Sequence, residues 1–164
     1  MKNILFACLL VSGSIVSLQA QTTEETAVAQ PVHNLFKAMQ TNDTTLLKSA
    51  FADQVTMATV IKNKEGKVVV NRETGIKGFV KAIAKPNPKG PLNEEIWNIK
   101  VEIDGDFAQV WCDYAFYVGN TFSHCGVDAF HLSRTADGWK IFHLADTRRK
   151  DGCTIPQNIQ DKHK

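Results

Sequence analysis

Between Ile96 and Arg149 the chain repeats one pattern: an apolar-rich run of strand length, then a glycine-containing turn. The runs are Ile96–Ile103, Phe107–Val118, Thr121–Arg134 and Trp139–Arg148, separated by Asp104-Gly105, Gly119-Asn120 and Asp137-Gly138. Such pairs between apolar runs are strong hairpin signals, because glycine supplies the positive φ that tight turns demand. Three hairpins in series make an antiparallel meander. All three Trp and both Tyr lie in it. Everything else in the chain must fold around that sheet.

The preceding residues supply covers for it. Val28, Val32, Leu35, Phe36 and Met39 trace one face of a helix. Pro31 fits best in a first turn, which predicts firm helix from about Gln30. Thr41-Asn42-Asp43 breaks it, and Asp43 or Thr44 caps a short second helix bearing Leu46, Leu47 and Phe51. Val55–Ile61 and Lys67–Asn71 flank a Gly66 turn and read as a hairpin. A third helix spans Thr74–Ala84, and Pro86, Pro88, Gly90 and Pro91 form a stiff linker. Helices segregated from a long antiparallel sheet mean an α+β fold: three N-terminal helices packed on one face of a strongly curved sheet.

Met1–Ala20 reads as a secretory signal peptide, with Lys2 ahead of an apolar Ile4–Leu10 and a small residue at Ala20. The expected layout is that segment, a flexible stretch over 21–29, one domain over 30–152 and a C-terminal tail over 153–164. The expected location is periplasmic or secreted. The apolar run is too short to span a bilayer, and no later one is apolar enough. Removing Lys2 with the signal lowers the formal charge from +2 to +1, and no basic stripe marks a nucleic-acid binder. Export permits disulfides. Among Cys112, Cys125 and Cys153, the end-to-end placement of neighbouring strands favours Cys125–Cys153, with a cross-strand Cys112–Cys125 bridge as the rival.

Two-residue turns set Val118 opposite Thr121 and Thr135 opposite Gly138. Carried along regular strands, that register puts Trp111, Asp113, Ala115, Tyr117, His124, Asp128, Phe130, Trp139 and His143 on one side. Helices should cover this side and enclose a hollow lined by Trp111, Asp113, Tyr117, His124, Asp128, Phe130, Trp139 and His143, suited to a small apolar or aromatic ligand. Asp128 and His143 would meet diagonally as an acid/base pair if the protein is an enzyme. The other side carries Tyr114, Phe116, Val118, Val127, Phe142 and Leu144. That patch is too apolar for free solvent, so either a second copy or the C-terminal tail covers it, and a homodimer is expected. Arg148 and Arg149 alternate sides; one can pair with Asp146 or an acidic ligand, but a solvated sheet end is preferred. No cofactor is called for. A metal would need Asp113, His124, Asp128 and His143 to converge at about 2 Å, and no tight His or Cys spacing supports one.

Four segments carry a family resemblance: Trp111-Cys112-Asp113-Tyr114-Ala115-Phe116-Tyr117, Ser123-His124-Cys125-Gly126-Val127-Asp128-Ala129-Phe130, Gly138-Trp139-Lys140-Ile141 and Asp146-Thr147-Arg148-Arg149. With the element order, they resemble the nuclear-transport-factor-2-like family and, within it, exported bacterial proteins that carry a lumazine-binding label. The resemblance implies a cystatin-like cone. A shared fold does not set function. Three readings follow: a binder of a small molecule, a cofactor-independent isomerase, cyclase or dehydratase, and a non-catalytic interaction module.

Overall fold

A computed structural model describes the backbone of residues 13–164 and the side chains of residues 23–164. Most of the expected signal segment lies outside the described residues. The elements are α1 (Gly13–Thr41), α2 (Thr44–Ala50), β1 (Phe51–Lys62), β2 (Val68–Thr74), α3 (Lys77–Ile83), β3 (Leu92–Asp104), β4 (Phe107–Val118), β5 (Thr121–Thr135), β6 (Gly138–Thr147) and α4 (Gln157–Asp161). All six strands join one curled sheet in the order β2-β1-β6-β5-β4-β3. Neighbours are antiparallel except β1 and β6, which run parallel.

The fold is α+β, as the element pattern predicts. It corrects the expected set of three N-terminal helices: two precede the sheet, and the third lies between β2 and β3. The stretch over 21–29, expected to be flexible, belongs to α1, and Pro31 sits inside that helix. A proline there removes a hydrogen bond and costs about 3 kcal/mol. Val28, Pro31 and Val32 are all buried, and that burial offsets the loss. With Leu35, Phe36 and Met39 they form the stripe that packs α1 against β3 and β6. Asp43 caps α2, its Oδ1 accepting the Thr45 and Leu46 amides at 3.0 and 2.9 Å.

The hairpin turns form as expected: Val118 pairs with Thr121 and Thr135 with Gly138. The register between them does not stay regular. One shift lies at Phe116/Tyr117 in the β4–β5 pair, and another at His131/Leu132 in the β5–β6 pair. An irregularity of one residue moves every side chain beyond it to the opposite face. On β4, Val110, Cys112, Tyr114 and Phe116 therefore turn toward the helices, opposite Phe130, Asp128, Gly126 and His124. On β6, the inward series changes from Trp139 and Ile141 to Leu144 and Asp146.

A third shift bends β3 between Trp97 and Lys100, where Asn98 takes a φ of 51°. Its amide donates to Asp113 at 2.8 Å. The tail after Arg149 is also ordered. Cys125 and Cys153 form a disulfide, and Ile159 of α4 packs with Ala115, Tyr117, Trp97 and Phe122 on the outer sheet face. Reduction in length of the exposed patch follows: the tail covers one part of that face, while Trp111, Phe107 and Ile99 stay exposed.

Candidate functional site

The concave side of the sheet, α1 and α3 enclose a cavity of about 400 Å³. Leu35, Phe36 and Met39 of α1 form one wall. Met57 of β1, Phe79 of α3, and Phe116 and Leu144 of the sheet continue the apolar surface. Polar groups gather on the sheet side: Glu94 of β3, Tyr114 of β4, His124 and Asp128 of β5, Asp146 of β6, and Arg148 just beyond it.

The register explains this gathering. Asp128 lies between Cys112 on β4 and Asp146 on β6 as a direct cross-strand partner of both. Thr59 of β1 lies beside Asp146 and donates to its Oδ1 at 2.6 Å. Arg148 Nε donates to Asp146 Oδ2 at 2.6 Å. Tyr114 donates to the Thr147 carbonyl at 2.8 Å. That close approach needs Gly126, where an added Cβ would fall 1.8 Å from the Thr147 oxygen and 2.7 Å from the Tyr114 ring.

Asp128 is 3 % exposed, and its Oδ2 receives no hydrogen bond from an N–H or hydroxyl among the described residues. The Glu94 carboxyl lines the same cavity and acts on Asp128 through its charge. Burial, then the charge of the neighbouring Glu94, pushes Asp128 well above the usual carboxylate range. Burial pushes Glu94 up to about 7. Both acids therefore hold their protons above the usual carboxylate range, and the titration of each depends on the other. Burial and then the Arg148 charge hold His124 below its ordinary value, so it is a neutral imidazole near pH 7. Burial also pushes the Tyr114 hydroxyl and the Cys112 thiol up, so both stay protonated. Cys112 is free and buried.

Of the residues predicted to line the hollow, His124 and Asp128 do so. Phe130 is fully buried in the core against Phe36, and Trp139 is buried with its Nε1 donating to Glu24 at 2.8 Å. Neither lines the cavity, and the remaining four do not line it either. Trp111 is 48 % exposed on the outer face, and Asp113 faces outward to Asn98. Tyr117 stacks on His163 of the tail at 3.8 Å. His143 lies on the outer face, where its Nδ1 meets Thr56 Oγ1 at 2.7 Å and its ring lies beside His131. Asp128 and His143 are therefore on opposite sides of the sheet and cannot act as a pair.

The expected interface is split by the same shifts. Tyr114, Phe116 and Leu144 line the cavity, and Val118 pairs with Leu92, which packs on the core. Val127 and Phe142 remain on the outer side, where Phe142 packs beside Phe107 and His131. Arg148, expected at a solvated sheet end, lines the cavity instead. The predicted Cys125–Cys153 bridge is present, and Cys112 points the other way. The residues missed are Glu94, Asp146 and Tyr114 as members of one polar floor. Glu94 lies ahead of the expected Ile96–Ile103 strand, Asp146 reads in the sequence only as a partner for Arg148, and alternation along β4 puts Tyr114 on the outer side. Among the described residues no group of three or more His, Cys, Asp or Glu is arranged to hold a metal ion.

Solved structures share this architecture. A nuclear-transport-factor-2-like protein with a cystatin-like fold from Novosphingobium aromaticivorans aligns with a TM-score of 0.66 at 14 % identity, covering 88 % of this chain and 93 % of that one. A nuclear-transport-factor-2-like superfamily protein from Salmonella enterica aligns at 0.62 and 15 %, covering 83 % and 99 %. A nuclear-transport-factor-2-like protein of unknown function from Shewanella baltica aligns at 0.59 and 17 %, covering 79 % and 97 %. These likenesses concern the fold. No curated protein matches the sequence. The sequence matches the SnoaL-like domain over residues 20–145, and the chain belongs to that family.

Proposed function

We propose that this protein is an exported binder of a small, largely apolar or aromatic molecule held in its cone. The observation that carries the reading is the cavity itself, about 400 Å³ with apolar walls and a few convergent polar groups on one side. That size and make-up suit a small organic ligand. Native mass spectrometry of protein purified from its own host tests it. The expected result is a non-covalent adduct of small-molecule mass that Phe79→Trp, which fills the cavity, eliminates. Adduct-free protein that also binds no member of an aromatic ligand panel counts against the reading.

A second reading is favoured by one feature. Burial raises both Glu94, to about 7, and Asp128, a property useful to a cofactor-independent isomerase, cyclase or dehydratase. In that case Asp128 works with Glu94, not with His143. Exposed Trp111, Phe107 and Ile99 on the outer sheet support a homodimer through that face. Sedimentation of the wild type and of Trp111→Glu tests it: the wild type should run as a dimer and the variant as a monomer. Intact-mass measurement on periplasmic and culture fractions tests export with cleavage near Ala20.

A further inference from the structure

The polar floor carries an imbalance of charge. Asp146 is fully engaged: Thr59 donates to one oxygen and Arg148 to the other. Arg148 is the cation of the floor, and its charge is matched by Asp146. Glu94 and Asp128 then line the cavity with no cation among the described residues paired to either of them. Glu73 of β2 adds another acidic side chain to the lining. The cavity lining thus carries more acidic than basic side chains, in a setting where burial weakens solvation.

It also has a hydrogen-bond deficit. Asp128 is nearly fully buried, and its Oδ2 lacks an N–H or hydroxyl partner among the described residues. A buried acceptor left without a donor costs roughly 1–3 kcal/mol, which a ligand donor can recover. Phe36, Phe79, Phe116 and Tyr114 supply aromatic surface to the same cavity, and aromatic faces attract cations.

We propose that the cavity takes an apolar or aromatic amine, with its ammonium group donating to the Asp128 and Glu94 carboxyls and its hydrocarbon body against the Phe36, Phe79 and Phe116 wall. This rests on the small-molecule reading above and names its ligand class. A carboxylate ligand fits less well, because it would place a further negative charge beside Glu94, Asp128 and Asp146.

Amine binding should expel the proton that Glu94 holds below its raised value. The other groups around the carboxyls do not compete for that role. Cys112 and Tyr114 on β4 stay protonated, and His124 on β5 stays neutral. Asp146 and Arg148 on β6 are paired, Glu73 on β2 adds to the same negative field, and α1 and α3 contribute uncharged side chains to the lining. Binding should therefore strengthen as pH rises through the range near 7 where Glu94 ionises. A primary amine stays protonated there, its ordinary pKa being about 10.

Isothermal titration of the folded chain with naphthylethylamine, naphthylethanol and naphthylpropionate tests the proposal. At about pH 8 the amine should bind on the order of tenfold or more tighter than the alcohol, the worth of one charge-assisted hydrogen bond. That advantage should shrink at about pH 6, and titrations in buffers of different ionisation enthalpy should show proton release. Asp128→Asn should remove the advantage; if that variant does not fold, Glu94→Gln and the wild-type proton release decide instead. Equal binding of alcohol and amine, or tighter binding of the propionate, overturns the amine assignment and leaves the cavity reading standing. Failure of all three probes to bind overturns both.

Discussion

Gly126 is the position at which a single added methyl group should do the most damage. An alanine Cβ there would sit 1.8 Å from the Thr147 carbonyl oxygen and 2.7 Å from the Tyr114 ring. Ordinary contact begins at 3.4 Å, so the carbonyl must retreat by about 1.6 Å. Thr147 cannot retreat freely. Cys125 and Arg149 exchange two backbone hydrogen bonds of 2.9 Å on its far side, and Cys125 is tied to Cys153. Tyr114 donates to the Thr147 carbonyl at 2.8 Å, and the Val127 amide donates to Thr147 Oγ1 at 3.1 Å. A displacement of that size breaks the four bonds, each worth about 1 kcal/mol net. Gly126→Ala should therefore lose about 4 kcal/mol, a large share of the 5–15 kcal/mol typical of a domain. Guanidinium denaturation followed by Trp fluorescence measures it. A loss under about 1 kcal/mol would show that β5 and β6 separate without cost there, and would refute the close-packed origin of the polar floor.

The disulfide closes a loop with a sequence separation of 28, so Cys153→Ser should cost about 3–4 kcal/mol and lower the melting temperature by roughly 10 °C; an unchanged calorimetric midpoint would remove it as a stabilising element. Glu94 and Asp128 hold protons in the folded state that they release in the unfolded one, so this site's stabilising contribution is full below the usual value near 4.5 and is lost as pH rises through about 7. Glu94→Gln should flatten that part of the stability profile in urea titrations, and an unchanged slope would mean that Glu94 does not hold its proton above the usual range. His143→Ala should leave binding of any cavity ligand within about twofold, because His143 lies behind the sheet. A loss of on the order of tenfold would place its side chain at the cavity after all.

The parts legible without coordinates were those set by local physics. Glycine turns placed the hairpins, because only certain residues accept those backbone angles. The apolar stripe from Val28 to Met39 identified the covering helix, and strand-end geometry favoured Cys125–Cys153. His124 and Asp128 were correctly directed inward because they lie between the two register shifts on β5. Beyond those shifts, alternation failed. His143 went outward, Tyr114, Phe116 and Leu144 inward, and Asp146 and Arg148 joined the cavity.

The sequence by itself determined which segments become strands and helices, where the turns fall, and that acids, aromatics and histidines would crowd one sheet. Tertiary structure alone decided which of them share a face. A bulge leaves little local trace, since it answers to the curvature that the helices and neighbouring strands impose. Yet one such residue reverses the side on which all later residues stand. That is why Glu94, Asp128 and Asp146 meet only in the folded molecule.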